Sequence, residues 1–315
     1  MRDRLLFLLF LVFFLFTAKA LIIAQMGPQI LISPDETVYG FETPSISNFS
    51  IYSAIPMAFG LDWARLFNAA LTSTAVIPIF YLVRRRHNER NTALITTLIA
   101  CLFGPLWLYS FTNMTEAMLF TGVLTSALLA GHPLASLHNA LIKPIGLAVP
   151  LIYSKHGLLI ALFLGLAFTL MFPATNEVVN RLPNALLASM RSITYILFAS
   201  AGTAYLAGYR ILNGQSDTAE EWAFRFLLIT FAVVFAFMCF LPHNAFFGRY
   251  FDAPILVLLT TFRRPEKGGW FTTGLAVLLL ISIIHLLVGG AHGIMDAGLM
   301  APTDIINYAR LSIKV

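Results

Sequence analysis

Long apolar runs alternate with short polar ones along this chain. The runs are Leu5 to Ala24, Trp63 to Val83, Thr92 to Phe111, Ala117 to Ala130, Gly157 to Phe172, Ser192 to Leu212, Trp222 to Leu241, Phe251 to Phe262 and Trp270 to Gly289. About 20 apolar residues in a helix cross a hydrocarbon core, and most of these runs approach that length. They do not alternate polar and apolar as barrel strands do. The pattern therefore predicts an all-α, polytopic transmembrane helix bundle of about nine full spans. Only helices and closed barrels satisfy their own backbone groups in lipid.

One region breaks the pattern. Leu134 to Ile142 and Ile145 to Tyr153 are apolar, but each is about half a span long, and Lys143-Pro144 divides them. Proline removes a helix hydrogen bond. The expectation is a broken helical hairpin that enters from the cytoplasm and turns back, with Lys143 near its tip in a wet cavity. Two other segments are read as lying at the surface, Ile51 to Gly60 and Leu182 to Met190.

The basic residues set the orientation, because short cytoplasmic loops collect Lys and Arg. Arg2 and Arg4 precede the first run, which is read as a retained span with the N-terminus in the cytoplasm. Arg84-Arg85-Arg86-His87 and Arg263-Arg264 fall on the same side only if the Lys143 segment turns back. Residues Gln25 to Ser53 then face the periplasm, the cell exterior or a lumen. The expected organisation is one integral, multi-pass membrane domain over 1–315, with no separate soluble domain.

Composition agrees. The 315 residues are 58% hydrophobic and 11% charged, where a soluble domain carries roughly 25% charge. The net charge of +5 is explained by the cytoplasmic loops, so nucleic acid is not an expected partner. Neither cysteine belongs to a disulfide framework or a metal motif.

Against that background the stretch from Ser33 to Glu42 stands out. It holds Asp35, Glu36 and Glu42, three of 15 acidic residues, just beyond the first run. On the same predicted side lie Glu116, Lys143 and Arg249-Tyr250. Ionisable residues at membrane level are rare and tend to mark function. A carboxylate can take the proton of an attacking hydroxyl. Cations such as Lys143 and Arg249 can hold a departing phosphate. Glu36 is either a second catalytic or metal-binding acid or only a neighbour. Glu116 either serves the site or caps the fourth helix. These parts suit glycosyl transfer from a lipid-linked phosphate sugar, and no glycine loop for a soluble nucleotide is visible.

A Pro-Asp-Glu-x-x-Tyr element in the first external loop, Pro34 to Tyr39, resembles membrane glycosyltransferases of the GT-C type. The nearest branch holds the lipid A aminoarabinose transferases and protein O-mannosyltransferases. Further matches, in order, are Ala64-Arg65-Leu66-Phe67-Asn68, Thr115-Glu116, Lys143-Pro144 and Gly248-Arg249-Tyr250. The resemblance implies that Asp35 is the catalytic base and that Lys143 and Arg249 engage the donor phosphate. It implies a polyprenyl-phosphate sugar donor and a glycan, lipid or protein acceptor beside the membrane lipids. Members of that family usually carry more spans or a soluble C-terminal domain, which leaves room for a protein partner here. The site expected from all this is Asp35 and Glu36 as catalytic acids, with Glu116, Lys143, Arg249 and Tyr250 binding substrate. No metal ligand is assigned, and a divalent cation is the one cofactor that the paired acids admit. Two other functions fit the same composition: a transporter or flippase of a lipid-linked or anionic solute, and a non-catalytic scaffold in a complex. A transporter usually shows paired repeats with matching broken helices, and only one broken pair is evident.

Overall fold

The computed structural model describes residues 2–26, 59–112, 116–129, 139, 178–240, 249–264 and 269–280. These residues are helical with short connections, and no strand occurs among them. The Lys143 hairpin and the fifth predicted span lie outside the described residues.

Helix α1, Arg2–Met26, buries a single stripe. Leu8, Leu11, Leu15, Lys19 and Ile23 face inward at helical spacing, while Leu5, Leu9, Phe10, Phe13 and Phe14 stay exposed. The stripe packs on α2, Leu61–Thr74, and α3, Val76–Arg84. The break between α2 and α3 has a local cause. Pro78 has no N–H for the Thr74 carbonyl and crowds it, so the helix tightens at Ala75 and resumes. Together Asp62–Arg84 and α1 are the two described helices long and apolar enough to cross a membrane.

Helix α4, Glu89–Leu102, starts at Asn88, whose side chain accepts the Asn91 N–H. The run predicted over Thr92 to Phe111 does not continue as one helix. Phe103 is extended, and a short α5, Gly104–Leu108, follows. Pro105 cannot donate to the Cys101 carbonyl, and the Trp107 indole N–H does so instead at 2.9 Å. Helix α6, Glu116–Leu128, runs back.

Helix α7, Val178–Ala199, joins the segment expected to lie at the surface to the first part of the predicted Ser192 to Leu212 span. That span is interrupted at 200–202, where Ala201 and Gly202 take positive φ, and α8, Thr203–Leu212, follows. Gly202 has the left-handed conformation that costs an ordinary side chain. Helices α9, Thr218–Phe240, α10, Arg249–Thr261, and α11, Gly269–Leu280, complete the described part.

The middle of the bundle is α10. Every residue from 251 to 262 is buried. It packs on α3, α6, α7, α8 and α9, which surround it. Its burial comes from these neighbours, and it includes the buried polar residues Asp252, Thr260 and Thr261. At 13 residues α10 is about 20 Å long, short for a span but sufficient for an inner post.

Candidate functional site

The two ends of the bundle differ in kind. At one end the loops are tied by arginines. Arg4 pairs with Glu89, Arg86 grips Asp217 through both guanidinium nitrogens, and Arg264 donates to Asn91 Oδ1 at 3.2 Å. Arg210 Nε lies 3.2 Å from Glu220 Oε2, while Glu220 Oε1 accepts the Arg263 N–H at 2.7 Å. His87 Nε2 sits 3.2 Å from the Phe262 carbonyl oxygen. The start of α1 and the loops after α3, α8 and α10 therefore meet at one place.

Three titrating groups feel this crowding. Burial pushes the Asp217 carboxyl up, but the Arg86 hydrogen bond and the Glu220 and Ala219 N–H groups more than reverse that, leaving it below its ordinary value. Burial raises Glu220, only partly offset by the Arg263 N–H and Arg210. Burial lowers His87, and Arg264, Arg86 and Arg263 add to the effect against the Phe262 carbonyl.

Toward the other end lies a belt of buried polar groups. Lys19 is 15 positions beyond Arg4, about 22 Å at 1.5 Å per residue. Its ammonium, fully enclosed, donates to Thr72 Oγ1 at 2.9 Å and to the Leu106 carbonyl at 3.1 Å. The Trp107 ring faces it at 5.5 Å, within cation–π range. Thr72 also meets Ser110 Oγ at 2.7 Å, and Asn68 donates to the Thr112 carbonyl at 2.8 Å. Arg65, one helical turn before Asn68, is completely buried.

The connector from Phe103 to Thr112 is the hub of the belt. It takes Lys19 from α1 and Asn68 and Thr72 from α2. From its far side Tyr109 donates to Asp252 of α10 at 3.0 Å, and Tyr195 of α7 makes a short hydrogen bond to the other Asp252 oxygen. Tyr109, Tyr195 and Asp252 are all buried. Pro105 matters here, because the break it causes turns the connector's carbonyls and hydroxyls toward α1, α2 and α10.

Of the residues expected to form the site, Asp35, Glu36 and Lys143 lie outside the described residues. Glu116 is the first residue of α6 and is 1% exposed. Arg249 opens α10, and Tyr250 follows it, half-buried against the core. The starts of α6 and α10 come to the same end of the bundle. Thr112, just before α6, is bonded to Asn68, and Tyr109 is bonded to Asp252 in the first turn of α10. Whether Asp35 shares a chamber with Lys143 and Arg249 falls outside the described residues.

Sequence reasoning did not assign Lys19, Tyr109, Tyr195 or Asp252. A signal existed for two of them. Lys19 and Asp252 are ionisable residues inside apolar runs, a pattern that points to function or to a specific partner. Nothing singled out the tyrosines, since their carboxylate is 143 and 57 positions away. Arg65 and Asn68 fall within the matched stretch Ala64-Arg65-Leu66-Phe67-Asn68 but carry no assigned role there.

Among the described residues no three His, Cys, Asp or Glu side chains converge on a cation site. No protein-family model matches the chain, and no curated protein or solved structure is measurably similar to it.

Proposed function

We propose that the chain is a multi-pass membrane glycosyltransferase of GT-C type. It moves a sugar from a polyprenyl-phosphate donor to a hydroxyl acceptor on the non-cytoplasmic face. One observation carries the proposal. Helix α1 ends at Met26 and α2 begins at Leu61, both beyond the belt and away from the arginines, and Asp35 and Glu36 fall between them in sequence. At that same end α6 opens with Glu116, and α10 opens with Arg249 and Tyr250. The arginine-rich loops gather at the opposite end, as cytoplasmic loops do.

The chemistry follows from the residue types. The Asp35 carboxylate takes the proton of the acceptor hydroxyl as its oxygen attacks the anomeric carbon. The bond from that carbon to the phosphate oxygen breaks, and the polyprenyl phosphate leaves with the electron pair. Lys143 and Arg249 hold the charge that develops on it. A single displacement inverts the anomeric centre. A divalent cation, if the reaction uses one, would bind at the Asp35–Glu36 pair.

The test is mass spectrometry of lipid-linked sugars and surface glycans in cells carrying the wild type, no gene or Asp35→Asn. The expected result is donor accumulation and loss of one glycan decoration without the gene. D35N should reproduce it, with transfer down roughly 100-fold or more. Full transfer by a normally expressed D35N would refute the assignment.

A further inference from the structure

At the arginine end, carboxylates and guanidinium groups are not balanced. Glu89, Asp217, Glu220 and Glu221 are already engaged by Arg4, Arg86, Arg210 and Arg225. Arg2 and Asp3 at the start of α1 offset each other in charge. The guanidinium groups of Arg84, Arg85, Arg90 and Arg263 are exposed and make no ion pair among the described residues. Of these, Arg90 lines an open cleft of about 560 Å³, together with Arg264.

The cleft is made of parts that suit a phosphate. One wall is the start of α4, with Asn88, Glu89, Arg90 and Asn91, where the Glu89 carboxylate is paired with Arg4, and the other carries Arg264 and Thr272. Asn88 caps the Asn91 N–H, so the N–H groups of Glu89 and Arg90 remain at the helix start without intrahelical acceptors. Helix starts of this kind favour anions. A second observation is independent of the helix start. Arginines line both walls, Arg90 on one and Arg264 on the other, and the exposed Arg90 guanidinium makes no ion pair among the described residues. Two guanidinium groups across one cleft suit the charge of a phosphate.

The cleft also has an apolar side. Leu94 lines it and is 45% exposed, and Trp270, beside the lining residue Gly269, is 63% exposed. A free phosphate has no use for that surface, whereas a lipid presents a headgroup and a chain together. We infer that the cleft between the start of α4 and the α10–α11 region binds the phosphate headgroup of an anionic membrane lipid. This inference rests on the membrane reading of the bundle and not on glycosyl transfer.

Full-length protein in detergent should be titrated with phosphatidylglycerol, phosphatidylcholine or inorganic phosphate, and bound lipid counted by native mass spectrometry. Preferential retention of phosphatidylglycerol is expected. Arg90→Gln and Arg264→Gln should each weaken it about five-fold, the scale of one cation near a lipid surface. Arg225→Gln, which alters an exposed arginine outside the cleft, should leave it unchanged. Arg90 is exposed, so R90Q keeps the fold and decides the matter. Equal retention of the two lipids, or unchanged retention by R90Q, overturns the site. Binding of inorganic phosphate with no preference for the anionic lipid overturns the lipid assignment. Neither result bears on transfer activity, so failure here leaves the proposed reaction standing.

Discussion

Tyr109 and Asp252, 143 positions apart, meet through a 3.0 Å hydrogen bond that fastens the central connector to the first turn of the inner helix α10. Tyr195 holds the second oxygen of the same carboxylate. One acid thus aligns the connector, α7 and α10, and α10 is the helix that begins with Arg249 and Tyr250. Asp252→Ala would leave two buried hydroxyls without their acceptor, each costing about 1–3 kcal/mol. The expected loss is roughly 2–4 kcal/mol, read as a lower unfolding midpoint in detergent. Tyr109→Phe removes one hydroxyl and should cost about 1 kcal/mol. Equal losses for the two variants would show that the carboxylate is not the shared acceptor.

Lys19 and Thr72 give a test of the belt. Replacing a buried charge by an apolar side chain of similar size is often close to neutral, while stranding the charge is not. Lys19→Met should therefore shift stability by no more than about 1 kcal/mol. Thr72→Val leaves the ammonium short of an acceptor and should cost about 2 kcal/mol, the scale of a charge-assisted hydrogen bond. The double variant should be more stable than the sum of the singles indicates, and a double-mutant cycle on unfolding midpoints measures the difference.

Acid should loosen the arginine end through His87. Its folded pKa lies below the ordinary 6.5, because burial and then three neighbouring arginines disfavour the charged ring. Below 6.5 the unfolded chain binds this proton before the folded one does, so the His87 contribution is complete above that pH. It is lost as pH falls from 6.5 through the depressed folded value. The wild-type unfolding midpoint should decline over that window, and His87→Gln should flatten the decline. Asp217, also depressed, acts in the same direction at lower pH, below the ordinary carboxylate value of 3.8. Glu220, whose folded pKa is raised, acts in the opposite direction in both proteins, so an equally steep decline in wild type and His87→Gln would contradict the packing of His87 against the arginines.

The α4–α5 break depends on one indole. Trp107→Phe keeps the ring and removes the N–H that serves the Cys101 carbonyl. The expected cost is about 1–2 kcal/mol. The connector should also exchange its amide protons faster, which hydrogen exchange by mass spectrometry would show. Unchanged exchange over 103–112 would mean that the break is held by packing alone.

Much of this molecule could be read from the order of its residues. Helices α1, α2–α3, α6, α9 and α10 start and stop within a few residues of the apolar runs, because run length and flanking charge are local properties. Prolines were visible too, but their effects were not. Pro78 leaves a nearly continuous helix, while Pro105 ends one, with the Trp107 indole taking up the freed Cys101 carbonyl. The pairings within the belt could not be read. Lys19, Tyr109 and Asp252 lie in three separate runs, and a hydrogen bond across 143 positions leaves no periodicity in sequence. Burial of α10 on every side is a property of its neighbours and not of its own 13 residues. The chain by itself fixed which segments must leave water, because hydrophobicity acts residue by residue. Only the tertiary structure decided which polar side chains would share the space left between them, because that depends on how the helices cross.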